Sequence, residues 1–100
     1  MSTAIERMAG ISGCDSYSAA GVYTPSGRHA GSKIVAIGVE VAANITNFKY
    51  TNLNGVVKTV TSDNWIGREL DANGTNSYIP LGVRADSVEL ASGTIKLYFG

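Results

Sequence analysis

The pattern of apolar and polar positions changes character along this 100-residue chain. Over residues 1–32 large apolar side chains are sparse, and Gly10, Gly13, Gly21, Pro25, Gly27 and Gly31 interrupt the run. Only its start carries a helical signal: Thr3-Ala4-Ile5-Glu6 fits a capping box, and Ile5, Met8 and Ile11 recur at spacing three. So short a helix does not stand alone in water. Beyond Ser32 the period becomes two. Val35, Ile37, Val39 and Val41 fall on one face and predict a first core strand over 33–41. Phe48 and Tyr50 alternate with Asn47 and Lys49. Asn52-Leu53-Asn54-Gly55 then supplies a strong turn signal into a β-branched strand over 56–61. Trp65, Ile66 and Leu70 form a further apolar stretch, closed by a polar turn over 71–76. Pro80 cannot donate to a ladder, which confines residues 78–81 to an edge or a strand end. Residues 84–90 and 94–99 read as the two strands of a closing hairpin turned at Ser92-Gly93. Its last strand puts Ile95, Leu97 and Phe99 in one row and Lys96 and Tyr98 in the other, one row filling the core and the second facing solvent or a neighbour.

Short strands at spacings of about ten residues, without a credible long helix, predict an all-β fold. The expected architecture is a small antiparallel β-sandwich or barrel, jelly-roll-like, over residues 33–100, with a Gly/Ser-rich N-terminal arm over 1–32. A chain of this length has room for one modest core. A terminal strand is a natural edge, and free edges invite pairing with another chain. The pattern therefore predicts a homo-oligomer, a trimer among its forms.

Charge narrows the partners. Eight Lys and Arg balance eight Asp and Glu, so there is no electrostatic footprint for nucleic acid or an anionic membrane. Cys14 is the only cysteine, which excludes an internal disulfide and a cysteine-rich zinc site. The first residues lack the basic start and apolar core of a signal peptide, and no run approaches transmembrane length. The expectation is a protein made in a cytoplasm and kept soluble.

A search for chemistry returns little. His29, the only histidine, lies in the Gly/Ser-rich segment and reads as a solvated loop residue rather than a catalytic base. Ser12, Ser16 and Ser18 surround Cys14, but no Gly-x-Ser-x-Gly elbow is present. Asp71-Ala72-Asn73-Gly74 matches a fragment of a calcium loop without its later ligands and reads as an Asx turn. Asn44-Ile45-Thr46 and Asn73-Gly74-Thr75 match the glycosylation sequon but read as turns flanking strands. The expectation is no catalytic residue, no metal, no cofactor and no enzymatic activity. Trp65, together with Tyr50, Tyr78 and Tyr98, could offer an aromatic platform to a sugar or a protein, with Asn54 and Asn73 on neighbouring loops, but a single tryptophan in so small a domain reads first as core.

The Gly/Ser-rich lead, the strand Lys33-Ile34-Val35-Ala36-Ile37-Gly38-Val39-Glu40-Val41, the Tyr78-Ile79-Pro80-Leu81-Gly82 edge and the closing Val88-Glu89-Leu90-Ala91-Ser92-Gly93-Thr94-Ile95-Lys96-Leu97-Tyr98-Phe99 segment carry a resemblance. In these residues the chain resembles small β-sandwich virion structural proteins of tailed bacteriophages. The likeness spans residues 33–41 and 78–99, about a third of the chain; the middle matches nothing in that pattern. It implies a non-enzymatic virion protein made in the host cytoplasm, either a capsid decoration or cement protein or a head or neck fibre component. The implied partners are further copies of itself and other virion proteins, such as the major capsid protein. On this reading the arm binds the shell through Ile5, Met8, Ile11, Tyr17, Val22 and Tyr23, and the β-domain packs with its copies. Ordering the arm costs roughly 1–2 kcal/mol per residue, which only a large surface offsets. The alternative is a fibre- or tail-associated module that recognises host surface glycan through Trp65, Tyr50, Asn54 and Asn73.

Overall fold

The computed structural model describes residues 13–63, 65–72 and 77–100. Within them the chain is almost entirely β, mostly antiparallel, with one 3-10 turn at Gly27–His29. The strands are β1 (Cys14–Tyr17), β2 (Gly21–Tyr23), β3 (Ile34–Thr51), β4 (Val57–Val60), β5 (Glu69–Leu70) and β6 (Tyr78–Phe99), joined in one six-stranded sheet ordered β1-β6-β3-β4. β2 adds to β6, and β5 adds to β3.

Two long strands organise everything else. Partners along β3 and β6 count in opposite directions, Ile37 with Leu97, Asn44 with Ser92 and Tyr50 with Ala85, so one antiparallel ribbon runs through both strands. The start of β6 lies on the other side of β3, pairing Ala36 with Pro80, Ile37 with Ile79 and Gly38 with Tyr78. Pro80 thus stands in the opening residues of its strand, where a missing N–H costs least. Gly82, at φ +75°, sits between that segment and the rest of β6.

The closing hairpin expected at Ser92-Gly93 is not formed. β6 continues through both residues without a turn. Gly93 takes φ +87°, while no non-glycine residue among those described has a positive φ, so Ser92 cannot supply the second positive φ of a type I′ turn. A single left-handed glycine makes a bulge instead, and the ribbon bends there with Gly93 against Ala42 and Ala43.

Bulges also redistribute the row expected from Val35, Ile37, Val39 and Val41. Ile34 opposes Phe99 and Ala36 opposes Tyr98, which leaves Val35 as an extra residue and flips the alternation. Ile34, Ile37 and Val39 consequently all enter the core, whereas Val41, at the bend, is exposed. Of the two rows of the last strand, Ile95, Leu97 and Phe99 is the one that is fully buried. Val88, Leu90, Ile45, Phe48, Ile66 and Leu70 complete one cluster.

The described part of residues 1–32 belongs to the sheet. β1 pairs Cys14 with Tyr98 through Tyr17 with Ile95, and β2 pairs Gly21 with Leu90 through Tyr23 with Val88. The Phe99 N–H donates to the Gly13 carbonyl. A glycine-rich segment poor in apolar residues orders here because β6 offers it a ready ladder of backbone donors and acceptors.

Candidate functional site

Three places on the surface carry side chains with chemistry. The first is where β1 meets the 3-10 turn. Asp15 accepts from Arg28 Nη2 at 2.6 Å and lies 2.7 Å from His29 Nε2. An ionised carboxylate only accepts, so Nε2 carries the proton of that bond. The His29 ring stacks on Phe99 at 4.0 Å and 14°, and His29 is 3% exposed. The solvated loop residue expected from sequence is therefore a buried one, drawn in by an aromatic face and a carboxylate that lie 70 and 14 residues away in the chain. Its Nδ1 is buried and has no hydrogen-bond partner among the described residues. Arg28 also donates to the Cys14 carbonyl, occupying a backbone acceptor of β1, the end strand on that side among the described residues.

The Arg28 guanidinium holds the Asp15 carboxyl below the usual carboxylate range. Asp86, which receives Lys33 Nζ and the Thr51 hydroxyl, is held low in the same way, chiefly by Lys33. Both carboxyls titrate lower folded than unfolded. Their contribution is complete above the ordinary carboxylate range and is lost as pH falls through the lowered folded values. Thermal melts are expected to show stability falling most steeply below about pH 4, with Asp86→Asn flattening that fall; an unchanged acid slope in the variant would refute the pairing.

The second place is the hairpin joining β3 to β4. Tyr50 pairs with Lys58 and Thr51 with Val57. Asn52 organises the turn: its Oδ1 accepts the N–H groups of Asn54 and Val56, and its carbonyl accepts from Gly55. Leu53 at the apex is fully exposed, and Val56 and Val57 are about half exposed. Beside them lies a shallow groove of about 420 Å³ lined by Tyr50, Thr51, Asn52, Leu53, Val83 and Arg84. This stiff, apolar tip had no signal in the sequence beyond its turn, because strand alternation does not say which hairpins project.

The third is the outer face of the sheet around Gly38, where Tyr78 and Tyr98 lie edge to face with centroids 5.3 Å apart.

The residues expected to form a ligand platform are not gathered together. Trp65 is 6% exposed and stacks on Phe48 at 5.8 Å and 6°, so its ring faces are spent in the core. Tyr50 is half-buried against the cluster and lines the groove, and Asn54 is exposed on the turn. Asn73 lies outside the described residues. Of the expected arm anchors, Tyr17 and Tyr23 meet with ring centroids 4.5 Å apart, tilted at 39°, and pack on the cluster, Val22 is exposed, and Ile5, Met8 and Ile11 lie outside the described residues. Among the described residues no group of three or more His, Cys, Asp or Glu side chains is placed to hold a metal ion, and no helix is long and apolar enough to cross a membrane.

Comparison of the chain with known protein families, with characterised proteins and with solved structures finds no match.

Proposed function

We propose that this chain is a non-enzymatic virion structural protein of a tailed bacteriophage, most simply a decoration or cement protein that works in many copies at the particle surface. The finer architecture this reading uses is a small sandwich or barrel, with the bent β3–β6 ribbon supplying both layers. The observation that supports it is the β3–β4 hairpin. A turn saturated with its own hydrogen bonds presents Leu53, Val56 and Val57 to solvent on the end strand of the sheet. Exposed apolar side chains gain by docking on a neighbour, and β4, the end strand on that side among the described residues, leaves a backbone edge for it.

Native mass measurement with Leu53→Asp tests the assembly half of the proposal. The wild type is expected to form an oligomer that the variant lacks. The melting temperature should change by no more than about 2 °C, because an exposed side chain contributes little to folding. A wild type that stays monomeric, or a variant that assembles equally well, overturns it. Mass spectrometry of purified virions tests the location, and absence of the chain from the particle refutes it.

The second reading is a glycan-recognition module of a fibre or tail, and the exposed Tyr78, backed by the half-buried Tyr98 on the outer face, favours it.

A further inference from the structure

We infer that the outer face of the sheet around Gly38 is a saccharide-binding platform, built from Tyr78, Tyr98, Lys96, Glu40 and Ser16. The inference rests on the recognition reading, not on self-assembly, and it moves the site away from Trp65.

The register assembles it. Gly38 in β3 pairs on one side with Tyr78 and on the other with Lys96. Lys96 in turn pairs with Ser16 of β1. Residues directly opposite one another point to the same face, and this face is the one turned away from Ile95, Leu97 and Phe99. Tyr98, two residues from Lys96, shares it. The Ser16 hydroxyl donates to Glu40, which places that carboxylate on the face as well. Tyr78 and Lys96 flank the glycine from the two segments of β6 on either side of β3, so their Cα atoms stand two strand spacings, roughly 9–10 Å, apart.

Gly38 is what lets the rings lie as they do. A Cβ there would meet Tyr98 Cε2 at 3.3 Å and its hydroxyl oxygen at 3.5 Å; without it, the Tyr98 ring rests on bare backbone. A strand glycine weakens a sheet and marks a place where something approaches the backbone closely. Here that group is Tyr98, which buttresses Tyr78 edge to face at 74°. Tyr78 itself remains 52% exposed, more than a ring recruited only for cross-strand packing needs to be.

The chemistry of the face selects its ligand class. The negative π-face of Tyr78 suits the weakly positive C–H face of a pyranose ring. Around it stand an acceptor fixed in place by a hydroxyl, Glu40 with Ser16, and a flexible ammonium donor, Lys96. Alternating apolar C–H and hydroxyl groups within a few ångströms are the mark of a sugar. Acceptor and donor of opposite charge on one face suit a neutral or singly charged saccharide of at least two rings, lying across the strands from Tyr78 to Lys96.

The test is a glycan array probed with the full chain, biotinylated and displayed on labelled streptavidin so that weak sites add through multivalency. The wild type is expected to retain at least one glycan class. Tyr78→Ala should weaken that binding by about tenfold or more, the loss of one stacking contact, and Tyr78→Phe should retain it. Circular dichroism melts of both variants serve as the fold control, and Lys96→Ala gives a second route to the same face if Tyr78→Ala melts early. Retention of a glycan that is insensitive to Tyr78→Ala and Lys96→Ala overturns this platform while leaving recognition standing. No glycan retained by the wild type overturns both.

Discussion

Replacing Gly93 with alanine is expected to be the most damaging single-methyl change in the molecule. The residue holds φ +87°, and a Cβ built there would stand 2.1 Å from the Ala42 carbonyl oxygen and 2.5 Å from the Ala43 Cα. The atoms in the way are backbone, so no rotamer change relieves the overlap. Either β3 and β6 separate beside Gly93 or Gly93 leaves its conformation, and both disrupt the β3–β6 ribbon. The left-handed backbone alone costs roughly 1–2 kcal/mol for a residue with a Cβ. With the clash added, the loss is expected to reach about 4 kcal/mol or more, a large share of a small domain's stability. The melting temperature should fall by at least about 15 °C, or the cooperative transition should vanish. Gly55→Ala is the matched control. Gly55 also has positive φ, +77°, but nothing lies within 4 Å of its Cβ position, so only the conformational cost applies. Equal losses in the two variants would mean that close approach at Gly93 plays no part in the bend.

Trp65→Ala is expected to follow closely, with a loss of about 3–5 kcal/mol in chemical denaturation monitored by circular dichroism. The ring is 6% exposed and parallel to Phe48, in a cluster otherwise made of aliphatic side chains, alanine and Phe99. The segment that carries it leans on β3 through the Gly67 N–H, which donates to the Ile45 carbonyl at 2.9 Å, and on the Ala43–Leu70 pair of β5. Removing the indole leaves a cavity beneath the centre of β3 that short, irregular chain cannot refill. Trp65→Phe keeps a ring against Phe48 and should lose less. A near-neutral Trp65→Ala would mean that the ring contributes little to the core, returning it to consideration as a ligand contact.

Local alternation was legible in the last strand but not in the first, where bulges broke the row Val35, Ile37, Val39 and Val41. Ile95, Leu97 and Phe99 separated from Lys96 and Tyr98 as two rows because successive side chains of a strand point to opposite faces, and packing then buried the first row. Asn52 and Gly55 announced their turn because an Asx side chain and a left-handed glycine act within four residues. Pro80 declared itself at a strand start through its missing N–H. Ser92-Gly93 misled for an equally physical reason: a glycine of positive φ serves a turn and a bulge alike, and the choice depends on whether the partner strand, here Ala42–Ala43, runs past it.

The candidate sites were less legible. Trp65 and Tyr50 carried the right chemistry for a platform, but burial is set by what packs above a ring, and Phe48 claimed Trp65. Tyr78, Gly38 and Lys96 lie far apart in sequence, and only the register of β6 on both sides of β3 makes them neighbours. His29 is buried for a similar reason, since nothing near it in the chain foretells Asp15 or Phe99.

The sequence by itself determined that this protein is built of strands, where its tight turn falls and which row of its last strand is apolar, since those follow from φ preferences and side-chain alternation over a few residues. Tertiary structure alone decided that β3 and β6 form one bent ribbon, that residues 14–23 join the sheet, and which aromatic rings face water. Those outcomes depend on pairing between distant segments, where every backbone donor must find an acceptor and each buried ring must find a surface that fits it.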